Sequence, residues 1–322
     1  MSYATLEEVI KKGIVGAESE FNLAFQGGEP TLAGLSFYQE AVRLQKVHSA
    51  KGITIRNSIQ TNGMAIDEEF AKFFHENNFL VGLSIDGDRE SHELNRGDSF
   101  KGAMNAARLF QKHSVEFNIL CVVTRNTARH IGRIYRFFRS SGFDYLQFIP
   151  CLDPEGEARG SRAYSLVPKD YGDFLCLLFD LWYADIIKGE SVSIRLFDNV
   201  LMVLAGHAAE ACGLGGSCSC QFVTEADGSV YPCDFYVSDR FRLGSILTHS
   251  IDELLCSDNC LEFVETSKGR AAECDACPYL RFCYGSCRRD KDGTGVNKSY
   301  YCEALKRFYE YSLPRFASLF SS

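Results

Sequence analysis

Apolar residues in the first half of the chain switch between two periods. Residues 21–25, 53–59, 79–83, 117–123 and 145–149 alternate or run apolar over short lengths and predict strands. Residues 5–16, 35–49, 67–77, 100–113 and 131–140 space their apolar side chains three and four apart and predict helices. The first helix is expected to begin near Thr5, with Glu8 at capping-box distance. Regular alternation of strand and helix implies a parallel sheet with helices packed on it. Each predicted strand runs into turn or polar residues: Gln26-Gly27-Gly28-Glu29-Pro30, Gln60-Thr61-Asn62-Gly63, Ser84-Ile85-Asp86-Gly87, Thr124-Arg125 and Pro150-Cys151-Leu152. In parallel α/β sheets and barrels the C-terminal strand ends share one face and ligands bind there, so these segments are expected to border a cleft.

After Pro154 the pattern changes. A polar loop to about Pro168 precedes two helical stretches, 170–188 and 196–205, a cysteine-rich region reaching Cys302, and a last helix over 303–313. The aromatic run from Phe174 to Tyr183 reads as core. Of 14 cysteines, eight form an array: Cys212-x5-Cys218-x14-Cys233, then Cys274-x2-Cys277-x5-Cys283-x3-Cys287-x14-Cys302. Spacings of two and three residues let thiolates converge with little bending of the chain. Zinc would usually bring a second x2 pair, which is not present, so iron–sulfur is the favoured reading and zinc the alternative. Cys121, Cys151, Cys176, Cys220, Cys256 and Cys260 are expected to be small core residues or incidental thiols.

Composition narrows the function classes. A net charge of -8 argues against nucleic acid as the main partner. The first residues lack an apolar h-region and no apolar run reaches membrane-spanning length, so a cytoplasmic protein with reduced thiols is expected. There is no phosphate-binding loop and no metal-type histidine pair; the histidines read as surface or capping residues. At Gln26–Pro30 two glycines would let backbone approach a ligand, and Glu29 could offer its carboxylate to an ammonium group. Asp234, beside Cys233 and among aromatic residues, could be a partly desolvated general base or a solvated turn residue.

The combination of Ala24-Phe25-Gln26-Gly27-Gly28-Glu29-Pro30-Thr31, Gln60-Thr61-Asn62-Gly63, Val81-Gly82-Leu83-Ser84-Ile85-Asp86-Gly87, Leu146-Gln147-Phe148-Ile149, Cys218-Ser219-Cys220 and Asp227-Gly228-Ser229-Val230-Tyr231-Pro232-Cys233-Asp234 resembles the radical S-adenosylmethionine (SAM) enzymes with a SPASM domain, and among them the anaerobic sulfatase-maturating enzymes. The resemblance implies a partial parallel (β/α) barrel over residues 1–153, a helical linking segment over 154–206, a SPASM domain over 207–313 and a tail over 314–322. It implies two auxiliary 4Fe–4S clusters, one on Cys212, Cys218, Cys233 and Cys287 and the other on Cys274, Cys277, Cys283 and Cys302. Gly28, Ser84, Arg96 and Leu152 would contact SAM, Gln26 would lie near the substrate, and Asp234 would accept a proton. The implied activity is oxidation of a Cys or Ser in a sulfatase to formylglycine, with a low-potential electron donor and no membrane or nucleic-acid partner.

One departure qualifies that expectation. The family's C-x3-C-x2-C motif, which binds the SAM-cleaving cluster after the first barrel strand, does not occur in these residues. The chain is therefore expected to be shortened at its N-terminus, to lack the first barrel strand and to be inactive alone, with residues 21–25 left as an apolar sheet edge. Two rivals stay open: a radical SAM/SPASM maturase of another peptide, and a non-catalytic iron–sulfur electron carrier or binding protein.

Overall fold

The structure, a computed structural model, describes residues 1–154 and 156–320. The first half contains α1 (Tyr3–Val15), β1 (Glu20–Phe25), α2 (Leu35–His48), β2 (Thr54–Thr61), α3 (Glu68–Glu76), β3 (Phe79–Ser84), α4 (Arg89–Arg96), α5 (Phe100–His113), β4 (Phe117–Val123), α6 (Arg125–Arg129), α7 (Ile131–Ser140) and β5 (Tyr145–Pro150). The second half contains α8 (Pro168–Ile187), β6 (Ser193–Ile194), α9 (Arg195–Leu204), β7 (Val223–Thr224), β8 (Ser229–Tyr231), β9 (Gly244–Ser245), α10 (Ile251–Leu255), α11 (Asp258–Ser267), α12 (Leu280–Cys283), α13 (Arg288–Lys291) and α14 (Cys302–Ser318). Strands β1 to β6 form a parallel sheet in sequential order, with β1 at one edge, and β7-β8-β9 form an antiparallel sheet. The alternating pattern of the first half thus yields the expected α/β fold. Among the described residues no helix is long and apolar enough to cross a membrane.

Internal packing divides the chain into two units, each drawn from three stretches of sequence. The first comprises residues 1–82, 106–116 and 217–269. Here Ser2, rather than Thr5, caps α1: its side chain accepts from the Thr5 N–H at 3.1 Å, while Thr5 itself is buried in the first turn. Leu6, Ile10 and Ile14 lie on one face of α1 and pack against Ala41 and Leu44 of α2, with Phe21, Leu23 and Phe25 of β1 around them. Each such side chain contributes about 1.5–3 kcal/mol when fully buried. Val9 meets a second cluster, built from Val230, Leu243, Ile246, Leu254 and Cys260 around the antiparallel sheet. Lys12 fastens the same helix there, donating to the carbonyls of Ile246 (2.5 Å) and His249 (3.0 Å).

The second unit comprises residues 83–105, 117–216 and 270–322. Its core is aromatic: Phe179, Trp182 and Phe197 meet Phe308 and Phe316, with ring centroids 4.7 Å apart for Phe179 and Phe316. That packing explains why the last helix continues past residue 313. Pro314 lies inside it and lacks an amide to donate, a loss of about 3 kcal/mol, yet the helix runs to Ser318 with Phe316 fully buried. The pattern also misses α6, α10, α12 and α13, which are too short to show a helical period, and the longer α4 and α11.

Candidate functional site

Cys274, Cys277, Cys283 and Cys302 line one cavity in the second unit, together with Leu280, Leu305, Lys306 and Tyr309. Local turns aim them. Cys274 closes a 3-10 turn (Ala272–Cys274), and the Cys277 amide donates to its carbonyl at 3.0 Å. Cys283 ends α12 and Cys302 opens α14. Along α14 the cavity-facing residues are Cys302, Leu305, Lys306 and Tyr309, the spacing of one helical face. After Cys283 three successive residues have left-handed backbone: Tyr284 (φ 43°), Gly285 (φ 90°) and Ser286 (φ 72°). This turn brings the Gly285 N–H onto the Cys283 sulfur. Burial pushes the Cys283 thiol up, with the Gly285 N–H and Lys306 opposing and Cys277 and Cys274 adding to the rise. Burial also pushes Cys302 up, against Lys306 and Lys298.

Among the described residues no three His, Cys, Asp or Glu side chains converge tightly enough to hold a single metal ion. Zinc needs its ligands on one atom. Four thiols around a void instead suit a cluster in which each sulfur takes a different iron. The surroundings also fit a group of net negative charge: the N-terminus of α14, the Lys306 ammonium and the Gly285 N–H all face it with positive charge or dipole. A 4Fe–4S cluster therefore fits this cavity.

The other four array cysteines divide between the units. Cys212 and Cys287 belong to the second, where a Cβ added at Gly213 would stand 3.4 Å from the Cys287 Cβ. Cys218 and Cys233 belong to the first, and the Cys218 N–H donates to Ser267 Oγ at 2.8 Å. Cys233 Sγ donates to Asp234 Oδ1 at 3.2 Å. Asp234 opens a 3-10 turn (Asp234–Tyr236) and is exposed, as in the solvated-turn alternative. Its aromatic neighbours do not cover it: Phe235 is 45% exposed, while Tyr236 turns inward onto Phe241 and Phe263.

At the end of β1, Gln26 is exposed and Gly27 and Gly28 have φ of 89° and 51°. A Cβ at either glycine would meet nothing within 4 Å, so backbone conformation rather than crowding calls for glycine, and the space beside them is open. Glu29 is not the free carboxylate expected. Its Oε1 accepts from Thr31 N (3.1 Å), Thr31 Oγ1 (2.5 Å) and Thr61 Oγ1 (2.8 Å), and its Oε2 from Asn62 N (2.7 Å). It ties the loop after β1 to the end of β2.

In the second unit Ser84 is half-buried at the end of β3, and Leu152 is half-buried two residues beyond β5. Arg96 closes α4, its Nε 2.8 Å from Asp86 Oδ2. Asp86 is buried, and its Oδ1 accepts from Val122 N at 2.8 Å. With Nε so held, the terminal nitrogens of Arg96 remain for a ligand. His92, one turn before Arg96, is also buried: Nδ1 accepts from Asp86 N (3.3 Å) and Nε2 pairs with Ser99 Oγ (2.9 Å). Burial lowers the pKa of His92, against the pull of Asp86. Asp86 lies in a segment expected to border the cleft, whereas His92 and Ser99 were not singled out; the sequence signal for His92 was its i,i+4 spacing from Arg96.

No cysteine set suits the cluster that would cleave SAM. The first cysteine, Cys121, is buried within β4, and the 322 residues hold no C-x3-C-x2-C motif.

Residues 1–138 match the Radical SAM superfamily, and residues 216–278 match SPASM, an iron–sulfur cluster-binding domain. The chain is 49% identical to the cysteine-type anaerobic sulfatase-maturating enzyme of Clostridium perfringens, over 96% of its own length and 86% of that protein. It is 32% identical to the serine-type anaerobic sulfatase-maturating enzyme of Bacteroides thetaiotaomicron, over 90% of its length and 75% of that protein. The solved structure of native anSMEcpe with bound AdoMet and Kp18Cys peptide superposes with a TM-score of 0.95 at 48% identity, covering 99% of this chain and 90% of that one. The chain belongs to the anaerobic sulfatase-maturating enzymes of the Radical SAM superfamily.

Proposed function

We propose that this protein matures a sulfatase by oxidising the cysteine of its active-site motif to formylglycine. The observation that carries this reading is identity of 49% to a cysteine-type enzyme across nearly the whole chain, against 32% to a serine-type one. SAM and 4Fe–4S clusters, when bound, supply hydrogen abstraction and electron transfer. The chain's own part is to hold, orient and deprotonate.

Cys274, Cys277, Cys283 and Cys302 would hold one auxiliary cluster, and Cys212, Cys218, Cys233 and Cys287 the other. Arg96, fixed by Asp86, would present its terminal nitrogens to the SAM carboxylate, an interaction suited to a guanidinium. Ser84 and the backbone at Gly28 and Leu152 would complete that contact, and Gln26 would hydrogen-bond the peptide. Asp234, exposed to an incoming chain, would take the substrate thiol proton. We assign the barrel to residues 1–153, the linking segment to 154–206, the SPASM domain to 207–313 and the tail to 314–322. A low-potential electron donor and a cytoplasmic setting without membrane or nucleic-acid partners complete the reading; the net charge of -8 supports the last point.

The test is anaerobic incubation with SAM, reductant and paired Cys and Ser sulfatase peptides, read by mass spectrometry, of the cluster-reconstituted protein extended at its N-terminus by a C-x3-C-x2-C segment, because these 322 residues contain none. Formylglycine forming faster from the Cys peptide is the expected result. SAM cleavage with neither peptide oxidised would point to a maturase of another peptide. Bound clusters with no SAM cleavage would mark an iron–sulfur carrier or binding protein.

A further inference from the structure

The cavity that holds Cys274, Cys277, Cys283 and Cys302 has a charged flank that ligation does not explain. Lys306 lies one turn after Cys302 on α14 and lines the cavity with Leu305 and Tyr309. Lys298, Glu273 and Glu303 stand around it. Lys298 is taken up by both carboxylates, at 2.7 Å from Glu273 and 2.9 Å from Glu303. Lys306 reaches Glu303 only at 3.6 Å. Glu273, which also lines the cavity, thus has its counter-charge in Lys298, and Lys306 keeps most of its charge for the interior. It lines the same cavity as Cys283 and Cys302. Leu280, Leu305 and Tyr309 make the wall beside it apolar or aromatic, while the Lys306 side chain is 35% exposed, so solvent screens its outer side and the field acts chiefly through the cavity wall.

We propose that Lys306 is a positioning residue for electron transfer: its ammonium, set one helical turn from Cys302, raises the reduction potential of the cluster in this cavity. The proposal rests on the reading that the cavity holds a 4Fe–4S cluster. Reduction adds one negative charge to a group that is already anionic, and a fixed cation at its side favours the reduced form. Glu303 works against it by drawing the ammonium towards the outer end of the turn. Both side chains thereby act on electron flow without touching substrate.

The experiment is a potentiometric titration of the anaerobically reconstituted chain, followed by electron paramagnetic resonance, with iron and sulfide measured on each sample. In K306M one of the two cluster transitions should move to lower potential, by about tenfold in the reduction equilibrium, or about 59 mV for one electron, and the other should stay. K306R should keep the wild-type value. E303Q, which leaves the cavity wall intact, should move the same transition upward. That second variant carries the test if K306M loses its cluster. Full iron and sulfide with no shift in either K306M or E303Q overturns the proposal. A C283S variant with undiminished iron and sulfide would instead overturn the cluster reading itself.

Discussion

Replacing Asp86 by asparagine probes the link between the buried carboxylate and Arg96. Asp86 accepts from Arg96 Nε and from Val122 N, both at 2.8 Å, with its side chain 2% exposed. Asparagine offers one oxygen and one amide nitrogen, so one of the two donors must face another donor. A hydrogen bond to a charged group is worth about 1.5–3 kcal/mol net, and removing one partner of a buried pair costs about 3–5 kcal/mol. Arg96 is 27% exposed and water can take up part of its charge, which favours the lower figure, about 2 kcal/mol. Urea denaturation of D86N, R96M and the double variant should show the two changes to be coupled by about 1.5 kcal/mol or more. SAM affinity, by equilibrium dialysis, should fall in each single variant and little further in the double. A coupling below about 0.5 kcal/mol, or unchanged SAM binding in D86N, would refute the claim that Asp86 fixes Arg96.

Three other outcomes are expected. In E29Q the side-chain amide confronts donors at Thr31, Thr61 or Asn62, at a cost of about 1–3 kcal/mol; amide exchange at Thr31 and Asn62 should quicken, and unchanged protection would count against the clamp. His92 is held by burial below its ordinary value of 6.5. Below that pH the unfolded chain takes up a proton that the folded chain resists, so stability should fall as the solution is acidified and be level above it. A urea midpoint series from about pH 7.5 to about pH 5.5 should therefore be steeper for wild type than for H92N, and parallel curves would exclude His92 as the cause. G28A should cost about 1 kcal/mol for its left-handed backbone while weakening SAM binding; intact binding would exclude close ligand approach at Gly28.

The alternation of strand and helix through residue 150 was legible in every element but α4 and α6, because the others are long enough to show their period. The cavity cysteines were legible as candidates through their spacing, although spacing alone could not apportion eight thiols between two groups. What stayed hidden depends on side-chain contacts that the local pattern does not show. Glu29 looked like a ligand-facing carboxylate because Thr61 and Asn62 are more than 30 residues away. His92 looked like a surface histidine because the partner that buries it, Asp86, lies on the preceding turn rather than on its own helix. Asp234 stayed open between a shielded base and a solvated turn residue, because the sequence does not show that Phe235 is exposed and Tyr236 packs on Phe241 and Phe263.

The first unit also sets an order of assembly. Its N-terminal part is complete in sequence by residue 116, but the segment that covers Val9 and receives Lys12 begins at residue 217. At synthesis rates of about 5–20 residues per second, roughly 100 residues separate the two parts and about 5–20 seconds elapse before they can begin to meet. During that interval the apolar face formed by Leu6, Ile10 and Ile14 can close locally on α2, while Val9 and the Lys12 ammonium must wait. The nascent chain thus carries a half-built unit for about a third of the synthesis of these residues, and chaperone demand should peak before the last array cysteines are made.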